Sequence, residues 1–190
     1  ADAAPLLSLH LRGGGGAVVL PSHEGLIRGL AECLFGWEAT LSPDLPEEAG
    51  TLAVIATEGA GRYRFGSRYL DQPMGALSVT STVCAVIADL ALGYCDALPG
   101  GIGLHCGALA VGGGPLIVLA GTHRAGKSTL VAHMSQRPDC QEFCDDVLPV
   151  TATGQAVALG FAPRIRLPAL SVLADAPVVL ADDRDRKSVV

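Results

Sequence analysis

Lysine is nearly missing from this chain of 190 residues: only Lys127 and Lys187 occur, and the formal net charge is −6. That scarcity argues against a broad basic surface and so against nucleic acid as a partner. Aromatic residues make up only 4% of the chain, whereas there are 24 glycines and 49% apolar residues. This balance suits an α/β protein with many tight strand–helix turns better than a β-sandwich. Paired cysteine motifs are absent too. Cys33, Cys84, Cys95, Cys106, Cys140 and Cys144 include no C-x-x-C, and most lie in apolar runs such as "STVCAVIADL". They read as reduced, buried thiols of a cytosolic protein, with the C-x-x-x-C of Cys140 and Cys144 left open as a pair or metal site. An N-K-x-D guanine-reading motif is lacking, which disfavours a conventional GTPase.

No basic region precedes the apolar residues of the opening "ADAAPLLSLHLRGGGG", so no targeting leader is expected. The uncharged run from Pro99 to Thr122 is long enough to span a membrane, but it holds His105 and a "GGGP" turn. Paired strands explain it better than a spanning helix, and a soluble, cytoplasmic protein is expected. The closing "DRDRKSVV" is left open as a flexible tail or a truncation.

Two regions are expected, a small α/β subdomain over 1–98 and a second unit over 99–190. In the first, "AVVLP" predicts a strand, followed by a helix capped by Ser22 and running through Leu34 to a stop at Gly36. Its buried face is Leu26, Ile27, Leu30, Ala31 and Leu34. "SPDLPEEAG" predicts a loop, "TLAVIAT" a buried strand, and "GRYRFGSRYL" a strand or hairpin. Val79, Val83, Ile87, Leu90 and Tyr94 recur at helical spacing, giving a helix from about Ser78 to Cys95 that "ALPGG" ends. In the second region, "GLHCGALAV" and "LIVLAG" predict two strands around the glycine turn. A helix should run from Lys127 to about Gln136 with Leu130, Val131 and Met134 facing inward. "EFCDDVLPV" and "QAVALGF" predict strands around a turn at Gly154, and a short helix is expected over 169–175.

The stretch "GTHRAGKST", Gly121 to Thr129, carries the chemistry. Gly121, Gly126, Lys127 and Ser128 satisfy G-x-x-x-x-G-K-[ST] between an apolar strand and a helical pattern. Multiplying residue frequencies gives roughly 0.003 chance matches in the chain. The spacing has a physical reason. Backbone N–H groups of Gly121, Thr122, His123, Arg124, Ala125 and Gly126 can turn inward on phosphate oxygens, with the helix dipole behind them. Lys127 reaches the β- and γ-phosphates, and the Ser128 hydroxyl ligates Mg²⁺, with Thr129 completing the loop. ATP and Mg²⁺ are the expected cofactors.

Asp145 and Asp146 follow 18 and 19 residues after Lys127. Adjacent carboxylates there can divide the work, one ligating Mg²⁺ and the other accepting a hydroxyl proton. His105 returns toward the loop if its strand pairs with the strand before Gly121. Arg164 and Arg166 alternate along an extended segment and suit a clamp on phosphate or an acidic group, or an exposed strand face. Arg62, Arg64 and Arg68 read as a solvated hairpin. Arg124 would touch either the γ-phosphate or the acceptor, and His123 would cover the loop.

Over Gly101 to Pro168, "LHCGALAVGGGPLIVLAGTHRAGKSTLVAHM", "FCDDVLPV" and "FAPRIRLP" together resemble the catalytic domain of HPr kinase/phosphorylase and its compact relatives. These share a P-loop core with phosphoenolpyruvate carboxykinase. The resemblance implies a mixed sheet with flanking helices and a kinase acting on a Ser or Thr hydroxyl of a peptide or small protein. It implies His105 and Lys127 at the phosphoryl site, Asp145 as base, and Ser128 with Asp146 as metal ligands. The "EIRGLG"-like segment of the HPr kinases is not present, so HPr itself is not the expected acceptor. Transfer to a small molecule such as free serine, and a non-catalytic ATP-binding regulatory module, stand as the alternatives. Self-association is left open.

Overall fold

The computed structural model describes residues 4–34, 36–59, 61–122, 124–166 and 179–181. It is mixed α/β, with a mixed sheet and a few helices. Strands β1 (Leu6–Leu11), β2 (Ala17–Pro21), β3 (Ala39–Ser42), β4 (Thr51–Gly59), β5 (Arg62–Ser67) and β6 (Met74–Leu77) form one six-stranded sheet in the order β3-β1-β2-β4-β5-β6. Every pairing is antiparallel except β2 with β4. A parallel pair needs a crossover, and helix α1 (Glu24–Cys33) lies within it.

Period-2 alternation sends one face of this sheet inward. Leu9, Leu11, Val18, Leu20, Ile55, Tyr63 and Phe65 are buried against α1 and helix α2 (Val79–Ala97). Ser78 caps α2, its side chain accepting from the Ser81 backbone N–H at 3.2 Å. Val83, Ile87, Leu90 and Tyr94 are buried as their spacing predicts.

Several boundaries differ from expectation. The α1 cap is His23, not Ser22, and it caps with its carbonyl alone, accepting from Leu26 N and Ile27 N. The Ser22 amide is already bonded to the Pro5 carbonyl at 2.8 Å. Ala31 is exposed, and Cys33 takes its place on the buried face. Strands β1, β3 and β6 stand outside the expected elements; β3 and β6 are four-residue edge strands whose existence depends on a neighbour's ladder.

Beyond α2 the chain forms β7 (Ile102–His105), β8 (Gly107–Val111), β9 (Ile117–Leu119), α3 (Lys127–Met134), β10 (Cys140–Cys144) and β11 (Val147–Val150). β8 is flanked by β9 and β10, both antiparallel, while β7 pairs with β11. The expected strand over 155–161 is corrected to an irregular return with a single bridge, Val150 to Ala156. Its residues go to a different use. Leu159 and Ala162 join the core of the first sheet, the Ala162 amide bonds the Cys33 carbonyl at 3.0 Å, and Gly36 packs against Gly160. β12 (Arg164–Arg166) pairs in parallel with β13 (Val179–Ala181). The helix expected over 169–175 lies outside the described residues.

Candidate functional site

The hairpin β8–β9 sets Gly107 opposite Leu119, two residues before Gly121. Gly121 and Thr122 therefore follow β9 out of the sheet, and the chain enters α3 at Lys127. Gly126 caps α3 in the left-handed region at φ 87°, where a side chain would be strained. A Cβ on it would meet nothing within 4 Å, so the loop leaves open space over the first turn. Lys127 Nζ donates to the carbonyls of Gly121 at 3.0 Å and Thr122 at 3.2 Å. The ammonium thus lies across the loop it would share with phosphate oxygens.

Arg124 is a second left-handed residue, at φ 65°. For a residue with a Cβ that conformation costs roughly 1–2 kcal/mol, and the surrounding loop holds it in place. His123, between Thr122 and Arg124, lies outside the described residues.

Two strand breaks build the rest of the site. β7 and β8 part at Cys106, and β10 and β11 part at Asp145–Asp146. The breaks face one another: the Cys106 amide donates to the Asp146 carbonyl at 3.0 Å, and Val147 pairs with His105. A bulge between Glu142 and Cys144 turns β10 just before the acid pair, a common device for re-aiming side chains. As a result His105 Nε2 lies 3.2 Å from Asp146 Oδ1. Ser128 Oγ donates to the Asp145 carbonyl at 3.5 Å, the long limit of a hydrogen bond. Asp145 is buried at 8% exposure, whereas the Asp146 side chain keeps 33%.

Loop, Ser128, acid pair and His105 are therefore one constellation. Arg164 and Arg166 lie on β12, which runs beside α3, and their side chains fall outside the described set. Arg64 lies on β5 and Arg68 in the turn after it, paired with Glu58 at 2.7 Å and with Asp96 at 3.4 Å. α3 ends at Met134, two residues early, and Leu130 is corrected from inward to 45% exposed; Val131 is the buried anchor.

Glu142 had no motif to announce it. Its Oε1 is buried without a hydrogen-bond partner, and burial, then the neighbouring Asp145, push its pKa up to about 7. A charge on a strand between cysteines and Phe143 was the one available signal. Cys144 Sγ donates to the Cys106 carbonyl at 3.4 Å, and burial raises both thiols. Raised thiol pKa values suit packing and oppose nucleophilic or ligating roles. None of the six cysteines is in a disulfide.

Comparison with known proteins finds no matching family model, no matching curated protein and no matching solved structure. The site therefore speaks through its own residues.

Among the described residues no group of three or more His, Cys, Asp and Glu side chains is set to hold a metal. A Mg²⁺ ion bound together with a nucleotide takes one or two carboxylates plus phosphate oxygens rather than a protein cage. The Ser128 hydroxyl and one carboxylate of the acid pair are donors of that kind. A small apolar cavity of about 20 Å³ lies between Ile87, Ala88 and Ala91 of α2 and the Asp145–Asp146 bend. Its size is that of a single water.

Proposed function

We propose that this chain is an ATP- and Mg²⁺-dependent phosphotransferase with a P-loop kinase core of the HPr kinase type. It transfers the γ-phosphoryl group to a Ser or Thr hydroxyl of a peptide or small protein. The observation that carries this reading is the meeting of the loop and the acid pair, with Ser128 against Asp145 and His105 against Asp146. A phosphate nest alone binds nucleotide; carboxylates at its edge with a histidine partner are what hydroxyl transfer needs.

Loop amides and Lys127 would hold the β- and γ-phosphates, the lysine exchanging carbonyl partners for phosphate oxygens. Bound Mg²⁺ supplies charge neutralisation at the phosphates, and Ser128 with Asp145 would hold it. Asp146 is the better-placed base, since it is the more exposed carboxylate and has His105 beside it. This reverses the division expected from the family resemblance. An acceptor hydroxyl meeting Asp146 would give up its proton to the carboxylate as its oxygen bonds in line to the γ-phosphorus, while the bond from that phosphorus to the β–γ bridging oxygen breaks and ADP leaves. His105 orients that carboxylate.

The test is phosphate transfer from γ-labelled ATP to pools of Ser- and Thr-containing peptides and, in parallel, to free hydroxy amino acids. Product from peptides in the wild type, and none from Lys127→Ala with its fold retained, is the expected result. Full activity in Lys127→Ala would remove the reading. Product from free serine alone would replace the peptide acceptor by a small molecule.

A further inference from the structure

Each of the four residues of β7 is exposed, and among the described residues the strand has β11 as its single neighbour. Ile102 and Leu104 pair with Val150 and Leu148, and Gly103 with Pro149. The Pro149 carbonyl accepts from the Val157 amide at 2.9 Å, on the side away from β7, and proline has no N–H. Gly103 and His105 therefore occupy the non-hydrogen-bonded positions of this ladder. The Cys106 amide, donating to the Asp146 carbonyl at 3.0 Å, falls on the bonded position that the alternation requires. The backbone N–H and C=O groups of Gly103 and His105 thus point out of the sheet edge, where no hydrogen bond meets them among the described residues.

Side chains alternate along the same edge. Paired residues share a face, so Ile102 and Leu104 lie with Val150 and Leu148 beside the small core of Cys106, Ala108 and Leu148. They stand at its open border, 57% and 37% exposed. His105 is on the opposite face, its Nε2 3.2 Å from Asp146 Oδ1. One edge therefore offers backbone donors and acceptors, an apolar strip and, at its end, the residue that touches the proposed base.

We propose that β7 is the docking strand for the acceptor, an extended peptide that adds antiparallel to its free edge with the reacting Ser or Thr opposite His105. This rests on the phosphotransferase reading and deepens it by giving the form of the substrate. Antiparallel addition lets the His105 N–H and C=O both bond the acceptor residue, which fixes it in place. Opposite residues share a face with Cβ atoms about 5 Å apart, so the acceptor hydroxyl stands beside His105 and Asp146. The first and third residues after it fall on the other face and cover Leu104 and Ile102. A slip of one residue would turn the hydroxyl to the wrong face. The acceptor is thus a Ser or Thr followed by apolar residues at the first and third positions. A second copy pairing β7 with β7 would bring no hydroxyl to Asp146, since Ile102–His105 contains none.

Fluorescence anisotropy without nucleotide, and phosphate transfer from γ-labelled ATP, test it on the full chain with the same labelled peptides. The probe carries one Ser followed by Val at the first and third positions. It should bind about tenfold more tightly than its counterpart with Gln at both, through the apolar area covered. N-methylation of the Ser amide, or of the amide two residues later, should weaken binding about tenfold, because both face β7. N-methylation of the amide between them, which faces solvent, should change little. Ile102→Glu, at an exposed position, should erase the preference for Val at the third position and keep that at the first. Equal sensitivity at all three amides, equal affinity for the two peptides, or binding of neither would overturn the proposal. So would a dimer of the chain, seen by light scattering, that Ile102→Glu dissociates, because the edge would then belong to a second copy. Alternating binding without transfer would keep the docking strand and remove the phosphotransferase reading; transfer without alternation would do the reverse.

Discussion

His105 Nε2 stands 3.2 Å from Asp146 Oδ1, held there because Val147 pairs with His105 across β7 and β11. The histidine is two-thirds exposed, so its contact with the carboxylate is set by strand register and not by burial. Removing the ring leaves the strands intact and takes one partner away from the Asp146 carboxylate. His105→Ala should lower kcat by about tenfold to a hundredfold, the loss expected when a general base is no longer oriented. Nucleotide affinity should stay near that of the wild type. His105→Asn, which keeps a donor near the carboxylate, should recover part of the rate. Steady-state kinetics on both variants decides the matter; an unchanged kcat in His105→Ala would detach the histidine from the site.

The two aspartates are predicted to fail in different ways. Asp145 is buried near Ser128, while Asp146 faces His105 and solvent. Asp145→Asn should raise the Mg²⁺ concentration needed for half-maximal rate. Asp146→Asn should cut kcat by about a hundredfold or more at saturating Mg²⁺, as loss of a base does. Mg²⁺ titrations at fixed nucleotide separate the two, and the opposite pattern would restore the assignment expected from the family resemblance.

The site was more legible in the sequence than the sheet that supports it, for a physical reason. The pattern read as a phosphate loop is local: its glycine spacing, its one lysine and the start of the following helix are all contained in Gly121–Thr129. Likewise α2 could be read because Val83, Ile87, Leu90 and Tyr94 repeat within one segment. Strands β3 and β6 could not, since four mostly exposed residues become a strand only beside a partner in another segment. Leu130 misled for a related reason. Its helix buries only the adjacent Val131 and Ala132, and apolar spacing over eight residues cannot tell which neighbour faces the sheet. The contact between His105 and Asp146 was not legible: the strand of His105 was expected to pair with the strand before Gly121, whereas β7 pairs with β11 after the chain changes partners at Cys106 and at Asp145.

Buried acids give a prediction in stability. Asp89 lies on α2 at 5% exposure with Oδ2 unpartnered, and burial pushes its pKa up from 3.8 to about 6, against the opposing pull of Ser67 and Arg68. Between those two values the folded chain binds more protons than the unfolded one. Its contribution to stability therefore falls as pH rises from about 4 to about 6 and stays low above that. Asp89→Asn removes the ionisation, so the variant should be more stable at pH 7 by on the order of 1–2 kcal/mol and gain nothing near pH 4. Urea unfolding at both pH values provides the comparison. An equal effect at the two would show that the carboxylate's charge is not the cause.

The last prediction concerns the return of the chain after β11. Gly160 takes φ 64°, and its Cα touches the space that a Cβ on Gly36 would fill, as Gly36 does for Gly160. The Gly36 amide also donates to the Gly160 carbonyl at 3.1 Å, and the Ala162 amide to the Cys33 carbonyl at 3.0 Å. Two backbones in contact leave no flexible side chain to yield, so the chain must move if either residue gains a methyl group. Gly160→Ala suffers both the clash and the left-handed strain, and should destabilise by about 2–4 kcal/mol. Gly36→Ala meets the clash alone and should lose less. Because Leu159 and Ala162 ride on this contact into the core of the first sheet, the damage should reach α1. Hydrogen exchange on Gly160→Ala should show faster exchange at the Leu34 amide, which closes α1 on Leu30 at 2.9 Å. Protection there equal to the wild type would mean that the return segment is not part of that core's cooperative unit.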